Sequence, residues 1–471
     1  MGRDHRVSVI QDTAAAQSAP QLGKSLAARH VTMITIGGII GAGLFVGSSA
    51  SIATTGPAII ISYGLAGLMM LIIMRMVSEM AVAHPQIGAF TEFAREGLGN
   101  WAGFANGWLY WYNWAIIAAI EALAGARIIH EWLPGYPIWA IGWALLAALT
   151  AVNMLSTRSY GEFEFWFASV KVAAIIVFIV VGLVFVLGHD PMTQVSNLYV
   201  HGGFAPFGPA SVLSGVVSVI FALCGAEIAT IAAAESPDPA RIIARMTGSV
   251  ILRILLFYVG SISLIVMIVP WNIIHPGDSP FAVALAAMHI PAAAFGMKLI
   301  VLTAVLSCLN SSIYVTSRVL FTLSARGDAP RALVKLNRRL VPTRAILFSS
   351  LVGYLAVYAS VVSPERVFAF LINAVGSIML LIYLITALAQ IRLRRALERT
   401  DPDRLKVKVW LFPWLSYAAV AAMAGVLGAM LLIPDHRAEV ICGLVCLAVA
   451  LMLYAAFRLG RDTKVMTPPE I

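Results

Sequence analysis

The stretch Gly37-Gly38-Ile39-Ile40-Gly41-Ala42-Gly43 lies in the middle of the first long apolar segment, residues 28–53. Four glycines in seven residues are a poor way to build a membrane-spanning helix, because each costs about 1 kcal/mol of helix propensity relative to Ala. Glycine also removes side-chain bulk and lets backbone approach a ligand. One reading is a helix broken in mid-membrane, with N–H groups at the start of its second half that hold a carboxylate. Irregular backbone at membrane depth is tolerated only where it lines a cavity or is covered by protein. The other reading is a packing face, since Gly37/Gly41 and Gly43/Gly47 both have GxxxG spacing. The stretch alone does not separate the two. A dinucleotide-binding glycine loop is disfavoured, because no soluble strand–turn–helix unit surrounds it.

Working outward, the 471-residue chain is 60% hydrophobic and 12% charged. Soluble domains carry about 25% charged residues, so the composition describes an all-α integral membrane protein. A span needs about 20 apolar residues. Twelve transmembrane helices are expected: 28–53, 57–82, 101–131, 137–155, 160–188, 209–235, 245–270, 293–325, 343–361, 364–391, 409–433 and 437–459. Loops 189–208 and 271–292 have no Lys or Arg. The loop after helix eight carries Arg326, Arg331, Lys335, Arg338, Arg339 and Arg344, and the one after helix ten carries seven more basic residues, Arg392 to Lys408. By the positive-inside rule both termini are cytoplasmic, as an even span count also requires. The net charge of +9 therefore reports orientation in a cytoplasmic membrane, not nucleic acid. Residues 1–27 read as a polar cytoplasmic tail without a signal-peptide core, and 460–471 as a second tail.

The four cysteines, Cys224, Cys308, Cys442 and Cys446, fall in apolar runs and read as packing residues. No metal cluster, catalytic triad or HExxH is visible, so neither an enzyme nor a cofactor is expected. The expected partners are the bilayer and a small substrate, with no obligate protein partner. The segment PFAVALAAMHI (280–290) is too short to span and reads as a short helix capping the outer vestibule. Trp101, Trp108, Trp111 and Trp114 read as an interfacial aromatic belt.

Helix six has its own weak point, Cys224-Gly225-Ala226-Glu227. Helices one and six each lead a five-helix half, 28–188 and 209–391. Five is odd, so the halves have inverted topology, with helices eleven and twelve (409–459) appended. Matching interruptions in two such halves mark a transporter's binding site. No direct sequence match joins the halves.

Ionisable groups inside a span are costly and usually functional. Lys171 lies deep in helix five, flanked by Ala168, Ser169, Val170, Val172 and Ala173. Such a lysine can exchange protons during a transport cycle and serve proton coupling. It can equally be a structural cation held by carbonyls or a carboxylate. Glu227 can face a substrate amine, stabilise the unwound backbone or accept a proton. Glu121 can meet substrate or pair with a cation. Arg75 and Glu79 are spaced for a local i,i+4 ion pair. Glu235 belongs to an inner gate or loop network, and Arg253 and Lys298 snorkel from helix ends. In helix eight, Ser307, Asn310, Ser311, Ser312 and Thr316 are more polar groups than packing needs and point to coordination. Asn373 is a weaker candidate of that kind.

These residues fit a family. The chain resembles the amino acid–polyamine–organocation superfamily, and within it the bacterial branch that includes the GABA permeases. The resemblance runs from Arg29-His30-Val31-Thr32-Met33 to helix twelve. It rests on GGIIGAGLFVGSS (37–49), MRMVSEMAVAHP (74–85), GWLYW (107–111), YGEFEFW (160–166) with Lys171, GAEI (225–228), AAAESPDP (232–239), SCLNSSIYVTSR (307–318) and RGDAP (326–330). It implies a LeuT-like fold, a 5+5 inverted repeat with broken helices one and six. The substrate carboxylate would meet backbone at Ile40, Gly41, Ala42 and Gly43. The amine would meet carbonyls near Phe221, Ala222 and Cys224, with Phe221 as an aromatic lid and Glu121, Glu227, Ser307 and Asn310 nearby. Lys171 would take the place of a coupling cation, beside Gly38 and Ser311 or Ser312, with the proton as coupling ion. Departures from the pattern are Ala119 where many relatives have proline, Leu223 where an aromatic residue is usual, and Asn373. The function this implies is a secondary active permease importing GABA or a related amino acid with a proton. The alternatives are import of a different amino acid (proline, aromatic, basic or small neutral) or amino acid/product exchange.

Overall fold

Inside lipid a backbone must satisfy its own hydrogen bonds, and a helix does so within one segment. The computed structural model describes residues 30, 33, 40–85, 87, 90–155, 157–188, 191–228, 254–361, 364–434 and 437–462, and every regular element among them is helical. Helix α1 opens as a π-helical turn, Gly43–Gly47, and runs on through Ser48–Thr55. There follow α2 (Ile59–Ala83), the short α3 (Glu92–Leu98), α4 (Asn100–Trp132), α5 (Ile138–Leu155) and α6 (Thr157–Gly188). The second part holds α7 (Pro209–Leu223), α8 (Ile254–Ile268), α9 (Pro280–Ala287), α10 (Pro291–Ala325), α11 (Thr343–Ala359) and α12 (Pro364–Thr400). Helices α13 (Trp414–Leu432) and α14 (Arg437–Asp462) close the chain.

Among the described residues eight stretches, from Gly43–Ala83 to Arg437–Phe457, are long and apolar enough to cross a membrane. The first contains α1 and α2, which part at Gly56 (φ 71°) and Pro57. Helices α7, α8 and α11 are apolar but shorter and coincide with expected spans six, seven and nine. Gly37, Gly38, Ile39, Glu235 and Arg253 lie outside the described residues.

Helix α4 is the central post. Nearly all of its residues from Ala102 to Ala126 are buried, and it packs against α5, α10, α11 and α12. Helices α1 and α7 touch each other beside it. The lipid-facing surface includes Val177, Val184 and Leu187 of α6 and Met452 of α14. The segment around 280–290 does form a short helix, α9, and Phe281 on it packs between Phe45 and Phe178.

Two expectations are corrected. Of the four tryptophans only Trp101 is exposed. Trp111 and Trp114 are buried, Trp111 donates to Ser349 Oγ at 2.9 Å, and Trp108 donates to the Asp328 carbonyl at 3.2 Å. A belt needs side chains facing lipid, and α4 is enclosed by other helices. Nor do Arg75 and Glu79 pair. Arg75 donates to the Lys408 carbonyl at 2.9 Å and lies over Trp410. Glu79 is buried and accepts from Arg394 Nη1 (2.5 Å), Gln390 Nε2 (2.7 Å) and the Val409 N–H (2.6 Å). Helical spacing made the local pair possible, but the buried carboxylate gains three donors from α12 and the following linker. Removing one partner of a buried pair strands the other. Glu79→Ala is therefore expected to cost about 3 kcal/mol, and Arg75→Ala far less, read as melting temperatures of the purified protein in detergent.

Candidate functional site

The described part of the first break begins at Ile40, which is non-helical, and the chain bends at Gly41 before the helical turn starts at Ala42. Helix α7 ends at Leu223, where Cys224 turns extended (ψ 138°) and Gly225 adopts φ 116°. Only glycine takes that conformation without strain. Residues 224–227 form a turn, with the Ile228 N–H bonded to the Gly225 carbonyl at 3.1 Å.

The two breaks are in direct contact. A Cβ on Gly43 would lie 2.6 Å from Ala222 Cα and 3.1 Å from Phe221. A Cβ on Gly41 would lie 2.5 Å from a Glu121 carboxylate oxygen and 2.8 Å from Cys308. Glycine thus serves close packing and the broken helix at once. The Ala42 N–H lies 3.0 Å from both carboxylate oxygens of Glu121. The start of α1 is an anion-binding helix terminus, and in this structure it faces the protein's own carboxylate.

Lys171 is fully buried. Its ammonium donates to the Ile40 carbonyl at 2.9 Å and to Ser307 Oγ at 2.8 Å. Glu164 stands 3.7 Å from it and accepts from Ser307 Oγ at 2.7 Å. Ser311 shares a hydrogen bond with Tyr160 at 3.1 Å. Ser307, Ser311 and Lys171 are therefore brought together with the first break.

Glu227 is held by the second break. It accepts from the Gly225 N–H (3.2 Å), Tyr383 OH (3.0 Å) and Tyr110 OH (3.2 Å), with Cys224 Sγ 3.8 Å away. Of its three possible roles, these contacts match stabilising the unwound backbone.

Other candidates lie elsewhere. Asn310 accepts from Asn153 at 2.7 Å across the α5–α10 contact. Ser312 donates to the Cys308 carbonyl of its own helix and Thr316 to that of Ser312, so neither hydroxyl faces Lys171 in these contacts. Asn373 joins Ser218 at 2.9 Å to Glu439 at 3.4 Å, tying α7 and α12 to α14. Lys298 pairs with Glu131 at 2.6 Å on the partly exposed rim of a cavity of about 380 Å³ floored by Val46.

Sequence reasoning missed Glu164, Tyr110, Tyr383 and Asn113. Glu164 was legible in principle, since Tyr160, Glu164 and Lys171 repeat at i, i+4 and i+11 along one helix face. The tyrosines carried no such signal, because their partner is on another helix. Asn113 Nδ2 approaches Cys224 Sγ (3.8 Å) and Met379 Sδ (3.7 Å), and among the described residues its buried Oδ1 has no hydrogen-bond partner. Among the described residues no group of His, Cys, Asp or Glu could hold a metal ion, and all four cysteines are free.

The close approach of the breaks sets an expectation. Gly43→Ala forces α1 and α7 apart and should lower stability by about 2 kcal/mol, the usual cost of overpacking. Gly428→Ala, with nothing within 4 Å of the added carbon, should not. Melting temperatures of the two variants in the same detergent check this.

Residues 30–464 match the amino acid permease family. The chain is 46% identical to the gamma-aminobutyric acid permease of Bacillus subtilis, over 94% of this chain and 95% of the relative. It is 45% identical to the gamma-aminobutyric acid permease of Escherichia coli, over 89% and 91% of the two chains. An aromatic amino acid transport protein of Corynebacterium glutamicum is 37% identical over 90% and 93%. A chain matched along nearly its whole length by this family model and by these permeases belongs to the amino acid permease family.

Proposed function

We propose that the protein is a proton-coupled importer of GABA or a closely related amino acid in a bacterial cytoplasmic membrane. Twelve spans, two inverted five-helix repeats and cytoplasmic termini complete this reading. The observation that carries it is the carboxylate of Glu121 on the Ala42 N–H, 3.0 Å from both oxygens. A helix terminus that accepts one carboxylate in a buried site is built to accept another. Substrate would displace Glu121 there. Its ammonium would meet carbonyls of the second break around Phe221 and Ala222, with the unpartnered Asn113 Oδ1 as a further acceptor. A buried acceptor without a donor is costly, so a substrate supplying one gains affinity.

Lys171 connects the proton to that site. Charged, it holds the carbonyl of Ile40, the residue just before the bend at Gly41. Neutral, it gives up the charge-assisted part of that bond, and Glu164 with Ser307 stands ready to receive or return the proton. The proton state of one side chain then bears directly on the backbone that binds carboxylate. No cofactor is needed for such a cycle, because the proton gradient supplies the work. Identity to the GABA permeases exceeds that to the aromatic transporter, which favours GABA over an aromatic substrate.

In proteoliposomes, labelled GABA should accumulate when the outside is acidified, and an excess of unlabelled GABA should compete better than proline, phenylalanine, lysine or alanine. Uptake indifferent to collapse of the proton gradient would reject the coupling, and a stronger competitor would reassign the substrate. A demand for amino acid preloaded inside the vesicle would point to exchange. Lys171→Met is expected to bind labelled GABA yet fail to concentrate it, and full accumulation by that variant would remove Lys171 from the coupling.

A further inference from the structure

Helix α12 is longer than the bilayer needs. Its 37 residues measure about 55 Å at 1.5 Å per residue, against a hydrocarbon core of about 30 Å. Helix α13 has 19 residues and measures about 28 Å, so its first turn sits at the membrane–water boundary. Arg395 of α12 donates to the hydroxyl of Tyr417 in that first turn, and its guanidinium lies 5.6 Å from the ring centroid. This contact fixes the depth of Arg395 at the level of lipid headgroups. Arg399 follows one turn further along α12. Both are exposed, and among the described residues neither has a carboxylate at ion-pair distance.

A cavity of about 550 Å³ lies between this end of α12 and the linker to α13, lined by Arg395, Glu398, Arg399, Phe412 and Pro413. The one carboxylate in the lining, Glu398, is already engaged by Arg394 at 2.8 Å. Two uncompensated cations remain. Beside the cavity, Leu411 and Trp414 are each 78% exposed. Leu411 adopts φ 47°, a left-handed conformation that strains a branched side chain. Large apolar side chains presented outward at the boundary, next to arginines, match a molecule that is anionic at one end and apolar at the other.

We propose that this cavity is a binding site for an anionic phospholipid. Arg395 and Arg399 hold the phosphate of its headgroup, and Leu411 and Trp414 lie along the start of its acyl chains. The guanidinium fork suits phosphate oxygens better than a point charge does. Each basic side chain near an anionic surface adds about 1 kcal/mol, so two give roughly a thirtyfold preference over a zwitterionic lipid. The site is separate from the substrate path but not from its scaffold. Tyr383, which holds Glu227, and Arg394, which holds Glu79, are on the same helix.

The test uses the full chain, purified and stripped of lipid in detergent. It is titrated with phosphatidylglycerol, phosphatidylcholine or inorganic phosphate, and retained molecules are counted by native mass spectrometry. The wild type should retain phosphatidylglycerol at least about tenfold more strongly than phosphatidylcholine. Arg395→Gln/Arg399→Gln should lose that preference, and Arg331→Gln/Arg338→Gln, from an exposed basic loop elsewhere, should keep it. Arg399→Gln alone breaks no hydrogen bond or ion pair among the described residues, so its partial loss of preference is independent of any folding defect in the double variant. Unchanged retention in Arg399→Gln, or no preference in the wild type, overturns the proposal. Displacement of the lipid by millimolar inorganic phosphate overturns it too, making the cavity a free-anion site.

Discussion

A buried ammonium must be paired, and much of the centre of this protein follows from that. Leaving the charge of Lys171 uncompensated away from water would cost several kcal/mol. Its three partners come from three directions: the Ile40 carbonyl from the first break, Ser307 from α10, and Glu164 from two turns back on its own helix. The lysine is thus a junction between the non-helical start of α1 and two otherwise regular helices. Ile40 is non-helical, and its carbonyl is met by the lysine's ammonium in front of α1.

The same logic places the three buried carboxylates around the breaks. Glu164 answers Lys171, Glu121 answers the N–H of Ala42, and Glu227 answers the Gly225 N–H with two tyrosine hydroxyls. In each of these contacts a backbone or side-chain group is met by one of opposite character. Glycine makes the density possible. Gly41 and Gly43 sit where an added Cβ would meet Glu121, Cys308, Ala222 or Phe221.

Away from the centre, Glu79 with Arg394, Gln390 and the Val409 N–H binds α2 to α12 and to the linker before α13. The appended helix joins in through Ser416, which donates to Gln390 at 3.1 Å. Polar groups among the described residues gather at points where several helices meet, and the exposed surface carries large aliphatic and aromatic side chains such as Val184, Leu187, Trp166 and Phe163.

The amino-acid sequence by itself determined the class, and it singled out the glycines at Gly41 and Gly43, the turn at Cys224–Glu227, and Lys171, Glu121 and Glu227 as buried charges that need partners. Those features are local: a run of glycines lowers helix propensity, and a charge in an apolar segment is conspicuous. Only the tertiary structure decided which charge meets which. Arg75 and Glu79 have the spacing of a pair and are not one, because better donors arrive from residues more than 300 positions away. Four tryptophans with the composition of a belt are mostly interior, because α4 is enclosed by its neighbours. Asn310 and Ser312 share a polar run with Ser307 and Ser311 but turn to other partners, since successive helical positions point about 100° apart. Periodicity fixes the face on which a side chain lies, and the packing of helices distant in sequence determines what that face meets.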